Sequence, residues 1–241
     1  AKVIHAGLPY WTAQLYLHQR RSPEVDHKLR RQALAEAFRG RSTLIDEESP
    51  YIEEFKDSTM IRAKGSGQML FLADQIGGPQ VLESILSDFL ARWRYQAAPY
   101  PTAQDFVRHL EANIPARTHP ILTDIFHRIS TWDLSIQNAR AEKTDDGRWT
   151  VKAVVTAKQY ATSDWGVLDN VPVGTPIKLV IYGESEDGES SVLHRELIEA
   201  THDAEERTWS LSQEPKRIKI DPMLFLPDSI PYDNELRVKR Q

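Results

Sequence analysis

The sequence predicts an α+β chain in two parts, a helical half over residues 1–130 and an all-β sandwich over residues 131–241. Three observations predict it. Apolar residues recur at helical spacing through the first half. Near residue 131 the period drops to two, with Trp132, Leu134 and Ile136 alternating with polar neighbours. Short alternating runs broken by turn residues then fill the rest of the chain, the pattern of a β-sandwich.

The helices follow in order. Residues 8–21 place Leu8, Trp11 and Leu15 on one face, with Pro9 in the first turn, where its missing N–H costs nothing. Residues 23–40 start at Ser22 and Pro23 and stop at Gly40. Val25, Leu29, Ala33 and Ala37 form the expected stripe, widened by Leu34 and Phe38. Residues 41–58 read as a loop plus a short turn, carrying Asp46, Glu47, Glu48, Glu53 and Glu54. Residues 59–110 organise the whole half. Arg62-Ala-Lys-Gly-Ser-Gly runs into Met69, Leu70, Leu72, Ala73 and Ile76, and Gly77-Gly78-Pro79 breaks that helix. Leu82, Ile85, Leu86, Phe89, Leu90 and Trp93 make the next stripe. Thr102 and Asp105 have capping-box spacing, and the helix they open carries Phe106, Val107, Leu110 and Ile114. Residues 118–129 form the last helix, with Ile121, Leu122, Ile125, Phe126 and Ile129 inward.

The β half opens with a hairpin signal at Asp145-Asp-Gly147. Trp149, Val151, Ala153, Val155 and Ala157 face one way in the clearest strand. Ile177 to Ile181, Val192 to Ile198, Trp209 to Leu211 and Ile218 to Ile220 supply further strands, with turns at Glu184-Ser-Glu-Asp-Gly188 and His202-Asp-Ala-Glu-Glu.

The 241 residues suffice for two modest domains, and 40% hydrophobic with 27% charged residues is ordinary for a globular protein. No apolar run approaches the roughly 20 residues of a membrane span. Without an N-terminal Met or signal peptide, the chain reads as a piece of a longer protein whose other segments include those in a membrane. Cys is absent, which removes disulfides and thiolate chemistry. The net charge of −5 does not suggest nucleic acid. Residues 1–41 are nevertheless basic and residues 184–206 acidic, each read as a solvated face. Arg20, Arg21, Arg30 and Arg31 would carry any nucleic-acid contact. No dinucleotide-binding glycine motif, Walker loop or G-x-S-x-G occurs. Gly65-Ser66-Gly67, read as preceding a helix, serves either anion binding through free N–H groups or close packing.

The Lys64-Gly65 helix start, the Gly-broken helix pair and Tyr100-Pro-Thr-Ala-Gln-Asp-Phe106 resemble the distal half of the catalytic domain of M1-type zinc aminopeptidases. The nearest subgroup is bacterial chains that fuse an ABC-2-type permease to an M1-like peptidase. Asp146-Gly147-Arg-Trp-Thr-Val resembles that subgroup's first hairpin, and Ile220-Asp-Pro222 with Tyr232-Asp-Asn234 its closing segment. The resemblance spans nearly the whole chain.

It implies a helical wall of a peptide cleft braced by a sandwich, on the extracytoplasmic (periplasmic) face of a membrane. It also implies what differs. In that family a Tyr two residues before Lys-Gly stabilises the oxyanion; here the position is Arg62, either an electrostatic substitute or a surface Arg at a site without chemistry. The third zinc-ligand Glu falls on Ala6, whose methyl cannot bind metal. His5 beside it is the only substitute offered. No His-Glu-x-x-His occurs, so no cofactor is expected in this chain, although the family holds zinc. His119 and His127 lie too far apart for a metal pair on one helix. The expectation is a fragment that completes a peptidase region without catalysis of its own, with Lys64 and Gly65 at the cleft. The alternative is a degenerate peptidase fold serving as a binding or assembly module of a transporter, with peptide or transporter subunits as partners.

Overall fold

The computed structural model describes residues 3–43, 50–53, 58–162, 168–171, 176–184, 190–199 and 203–241. It is a mixed α+β chain, helical towards the N-terminus and multi-stranded towards the C-terminus. Two compact units divide it. The first takes Ala1–Thr131, Ala161–Asp169 and Met223–Pro227; the second takes Trp132–Tyr160, Asn170–Pro222 and Asp228–Gln241.

In the first unit a π-helical turn, Val3–Gly7, leads into α1 (Leu8–His18). Then come α2 (Pro23–Thr43), α3 (Ser58–Ile76), α4 (Pro79–Trp93), α5 (Ala103–Asn113) and the short α6 (His119–Leu122). A second π-helical turn, Thr123–His127, closes the series. All ten residues from Lys64 to Ala73 are buried, so α3 is enclosed on every side over that stretch. Edge-on rings tie the helices together. Trp11 meets Phe126 at 6.1 Å between centroids, Phe126 meets Phe106 at 5.9 Å, and Phe106 meets Phe89 at 5.1 Å.

Several expected details are corrected. The buried stripe of α2 is rotated: Val25 is 49% and Leu29 38% exposed, while Asp26, Arg30, Leu34 and Ala37 are buried. A step of one residue turns a helix by about 100°, enough to exchange one stripe for the next. The helix also continues past Gly40 to Thr43. Gly65-Ser66-Gly67 lies inside α3, about two turns past its start, where backbone N–H groups bond within the helix. Anion binding by free N–H groups is therefore removed. In α4, Leu82, Ile85, Leu86 and Phe89 are buried as expected, but Leu90 is exposed. The expected final helix is only α6 followed by the π-helical turn, although Ile121, Leu122, Ile125, Phe126 and Ile129 are all buried. Of the acids in the 41–58 loop, Glu53 is exposed; Asp46, Glu47, Glu48 and Glu54 lie outside the described residues.

The capping box before α5 is present. Thr102 Oγ1 accepts from Asp105 N, and Asp105 Oδ2 accepts from Thr102 N at 2.8 Å. Hydrogen bonds from Thr102 hold the Asp105 carboxyl down at about 2. Replacing Thr102 by Ala should cost about 1 kcal/mol in urea unfolding, the usual cost of losing such a cap.

The second unit holds most of two sheets. The first runs β3 (Leu168–Asn170), β2 (Trp149–Thr162), β1 (Ile129–Lys143), β9 (Lys239–Arg240), with β6 (Glu205–Leu211) also pairing β2. The second runs β5 (Ser190–Ile198), β4 (Ile177–Glu184), β7 (Arg217–Ile220), β8 (Glu235–Arg237). Trp149, Val151, Ala153, Val155 and Ala157 are buried, as their alternation requires. Gly147, at φ 82°, turns the chain between β1 and β2. The turn expected at 184–188 and the loop from His202 fall largely on residues outside those described.

The expected extracytoplasmic placement within a membrane protein is also corrected. Among the described residues no helix is long and apolar enough to cross a membrane. The two longest, α2 and α3, carry Asp26 and Arg30, and Lys64, Gln68 and Asp74, along their length.

Candidate functional site

The motif positions meet around one indole. Trp11 is fully buried, and its ring lies against the backbone of both Gly7 and Gly65. A Cβ on Gly7 would stand 2.9 Å from the ring, and one on Gly65 would stand 3.0 Å from it. Two segments far apart in sequence, Ala6-Gly7 and Lys64-Gly65, are thus joined through Trp11. Their glycines are required by close approach, since any side chain there would collide with a rigid ring. Lys64 is 3% exposed, whereas Arg62 is exposed. Residues two apart on a helix point about 200° from each other, so burying Lys64 turns Arg62 outward. Ala6 is partly buried in the π-helical turn, and His5 is exposed.

A buried charge cluster lies nearby in the same unit, where sequence reasoning saw a solvated basic face. Asp26, 1% exposed, accepts from His18 Nδ1 at 2.8 Å and from Arg30 Nε at 3.2 Å, both through Oδ2. Arg21 Nη1 stands 3.9 Å from Oδ1. Burial pushes the Asp26 carboxyl up, but the His18 hydrogen bond and the Arg30 charge outweigh burial and hold it below the ordinary carboxylate range. Phe225 covers the group from the returning segment 223–227: the His18 ring meets it edge-on at 5.6 Å, and the Arg30 guanidinium stands 5.4 Å from its centroid. The sequence did carry one signal, the i, i+4 spacing of Asp26 and Arg30.

In the second unit Asp228 is 1% exposed. Its Oδ2 accepts from Leu134 N at 3.2 Å and its Oδ1 from Ile230 N at 2.9 Å. Burial pushes the carboxyl up to about 7 despite those two donors, and Asp233 adds to the rise. Asp233 is itself raised, by burial and by Asp133. Tyr232-Asp-Asn234 thus lies beside a buried acid that accepts from Leu134 N of β1 and from Ile230 N.

No protein-family model matches the chain, and no curated protein matches it.

The described residues do not offer a set of ligands that fits a zinc ion. Among the described residues no three His, Asp or Glu side chains converge to hold a metal. Position 6 offers a methyl group. His119 Nε2 is 3.1 Å from the Glu111 carbonyl oxygen, a helix-end contact rather than a ligand geometry.

Proposed function

We propose that the chain is the distal part of an M1-like metallopeptidase fold, a helical wall of a peptide cleft with a β-sandwich after it, and that it does not cleave peptides by itself. The observation that supports this is the joining of Ala6-Gly7 to Lys64-Gly65 by the Trp11 ring. Those are the two segments that the resemblance assigns to one cleft, and a single buried side chain holds them together. The chemistry is reduced at both. A methyl group replaces a ligand carboxylate at position 6, and a guanidinium replaces a phenol at position 62.

These same two departures favour a second reading, in which a degenerate fold holds an intact peptide for a partner assembly. Both readings place peptide beside Arg62, and both deny turnover.

The test replaces Arg62 by a photoreactive benzoylphenylalanine and irradiates the chain with an unstructured peptide of free amino terminus. Covalent capture at position 62 is the expected result, with the peptide intact after incubation with zinc. No capture above that of a variant labelled at exposed Tyr95 removes the cleft. Chelator-sensitive release of the first residue overturns the non-catalytic reading.

A further inference from the structure

We propose that a cavity among α1, α2 and α3 binds an amino-acid-sized zwitterion, its ammonium on Asp26 and its carboxylate on Arg21. The cavity has a volume of about 210 Å³, and Gln14, Arg21, Asp26, Arg30, Glu36 and Ser66 contribute to its wall. That is below the roughly 300 Å³ at which pockets for drug-sized ligands begin, and equals about seven waters. The proposal does not depend on the peptide-cleft reading.

Asp26 supplies the first half of the recognition. Its Oδ2 is doubly occupied by His18 and Arg30, but its buried Oδ1 takes no hydrogen bond. A bare buried carboxylate oxygen is costly, and a donor brought by a ligand would relieve it. Arg21 supplies the second half. Its guanidinium covers Oδ1 from 3.9 Å, too far to donate, and its bond to Gln14 Oε1 is long at 3.4 Å. It is held weakly, so an arriving ammonium displaces it from Oδ1. The displaced fork then faces the ligand's other end, where a carboxylate fits its geometry. Charge balance points the same way. The lining carries two Arg and two acids, so a ligand with both signs and no net charge leaves the balance intact. A simple cation adds to the positive field of Arg21 and Arg30, and a simple anion opposes Asp26 and Glu36.

The test is a titration of the ¹⁵N-labelled 241-residue chain, followed by amide shifts, with L-alanine, N-acetyl-L-alanine, L-alaninamide, acetate and methylammonium. Saturable shifts across residues 21–30 are expected with L-alanine, and binding about tenfold weaker or worse with each blocked or single-charge compound. Arg21→Ala should weaken L-alanine by about tenfold, with Arg21→Lys falling between it and the parent. Asp26→Asn should abolish binding, with circular dichroism checking its fold. Should that variant not fold, the Arg21 pair carries the test. Absence of saturable shifts with L-alanine overturns the proposal. So does equal binding of acetate or methylammonium, or L-alanine binding unchanged in Arg21→Ala.

Discussion

The chain should resist urea less well at pH 8 than at pH 5, and Asp228→Asn should remove most of that difference. The cause is the carboxyl that Leu134 N and Ile230 N share. In the unfolded chain it titrates at 3.8, and in the folded chain it is pushed up to about 7. Between those values the folded state holds a proton that the unfolded state has released. Stability from this group is therefore fullest below 3.8, falls as pH rises through 7, and is flat above. Integrated from pH 5 to pH 8, the loss is about 2.5 kcal/mol. Asp233 raises the carboxyl further and Asn234 lowers it, while Asp133 from β1 acts on Asp233. Asparagine cannot ionise, so its unfolding curves at the two pH values should differ only by what the remaining groups contribute. The substitution also sets an amide NH₂ against one of the two N–H donors, so the variant is weaker than the parent at pH 5. Parallel pH profiles for parent and variant would sink the argument.

Gly67→Ala should destabilise the helical unit by about 3 kcal/mol, the upper end for overpacking. Gly67 lies within α3, where adding a methyl to an exposed helical glycine would instead gain about 1 kcal/mol. The sign is reversed by one contact. A Cβ at position 67 would stand 2.5 Å from the Phe225 carbonyl oxygen. That neighbour is backbone, so it cannot swing aside as a side-chain tip would. Either α3 or the 223–227 segment must move, and Phe225 then withdraws from His18 and Arg30. Urea unfolding followed by tryptophan fluorescence reads the change, with Trp11 one of the six tryptophans that report it. A neutral or stabilising result would mean that the approach is looser than the geometry requires.

Much of the fold was legible because local pattern and burial agree. Trp149 to Val155 alternate and are buried in alternation, and Thr102 with Asp105 forms the box their spacing announces. The misreadings have physical causes. In α2 the charged pair Asp26 and Arg30 took the inward face beside Leu34 and Ala37, so Val25 and Leu29 of the expected stripe point outward. The sequence pattern puts Gly65 and Gly67 before a helix rather than inside one, although the close packing expected of them is present. Here each is small so that a ring or a carbonyl can lie against the helix. At the candidate site, Lys64 and Gly65 could be picked out through a resemblance. The Asp26 cluster could not, because a buried acid and a solvated one look alike in sequence. The Trp11 joint was half visible: the residue was assigned inward, but its two glycine partners lie 58 positions apart.

The return of Met223–Pro227 to the helical unit has a consequence for biosynthesis. A ribosome translating this message delivers α1 to α6 long before it delivers Phe225. Until that residue leaves the exit tunnel, His18 and Arg30 lack their aromatic cover and the groove over Gly67 stands open. Nascent chains halted before codon 223 should therefore be cut readily by protease in α2 and α3, and chains halted well beyond codon 227 should not.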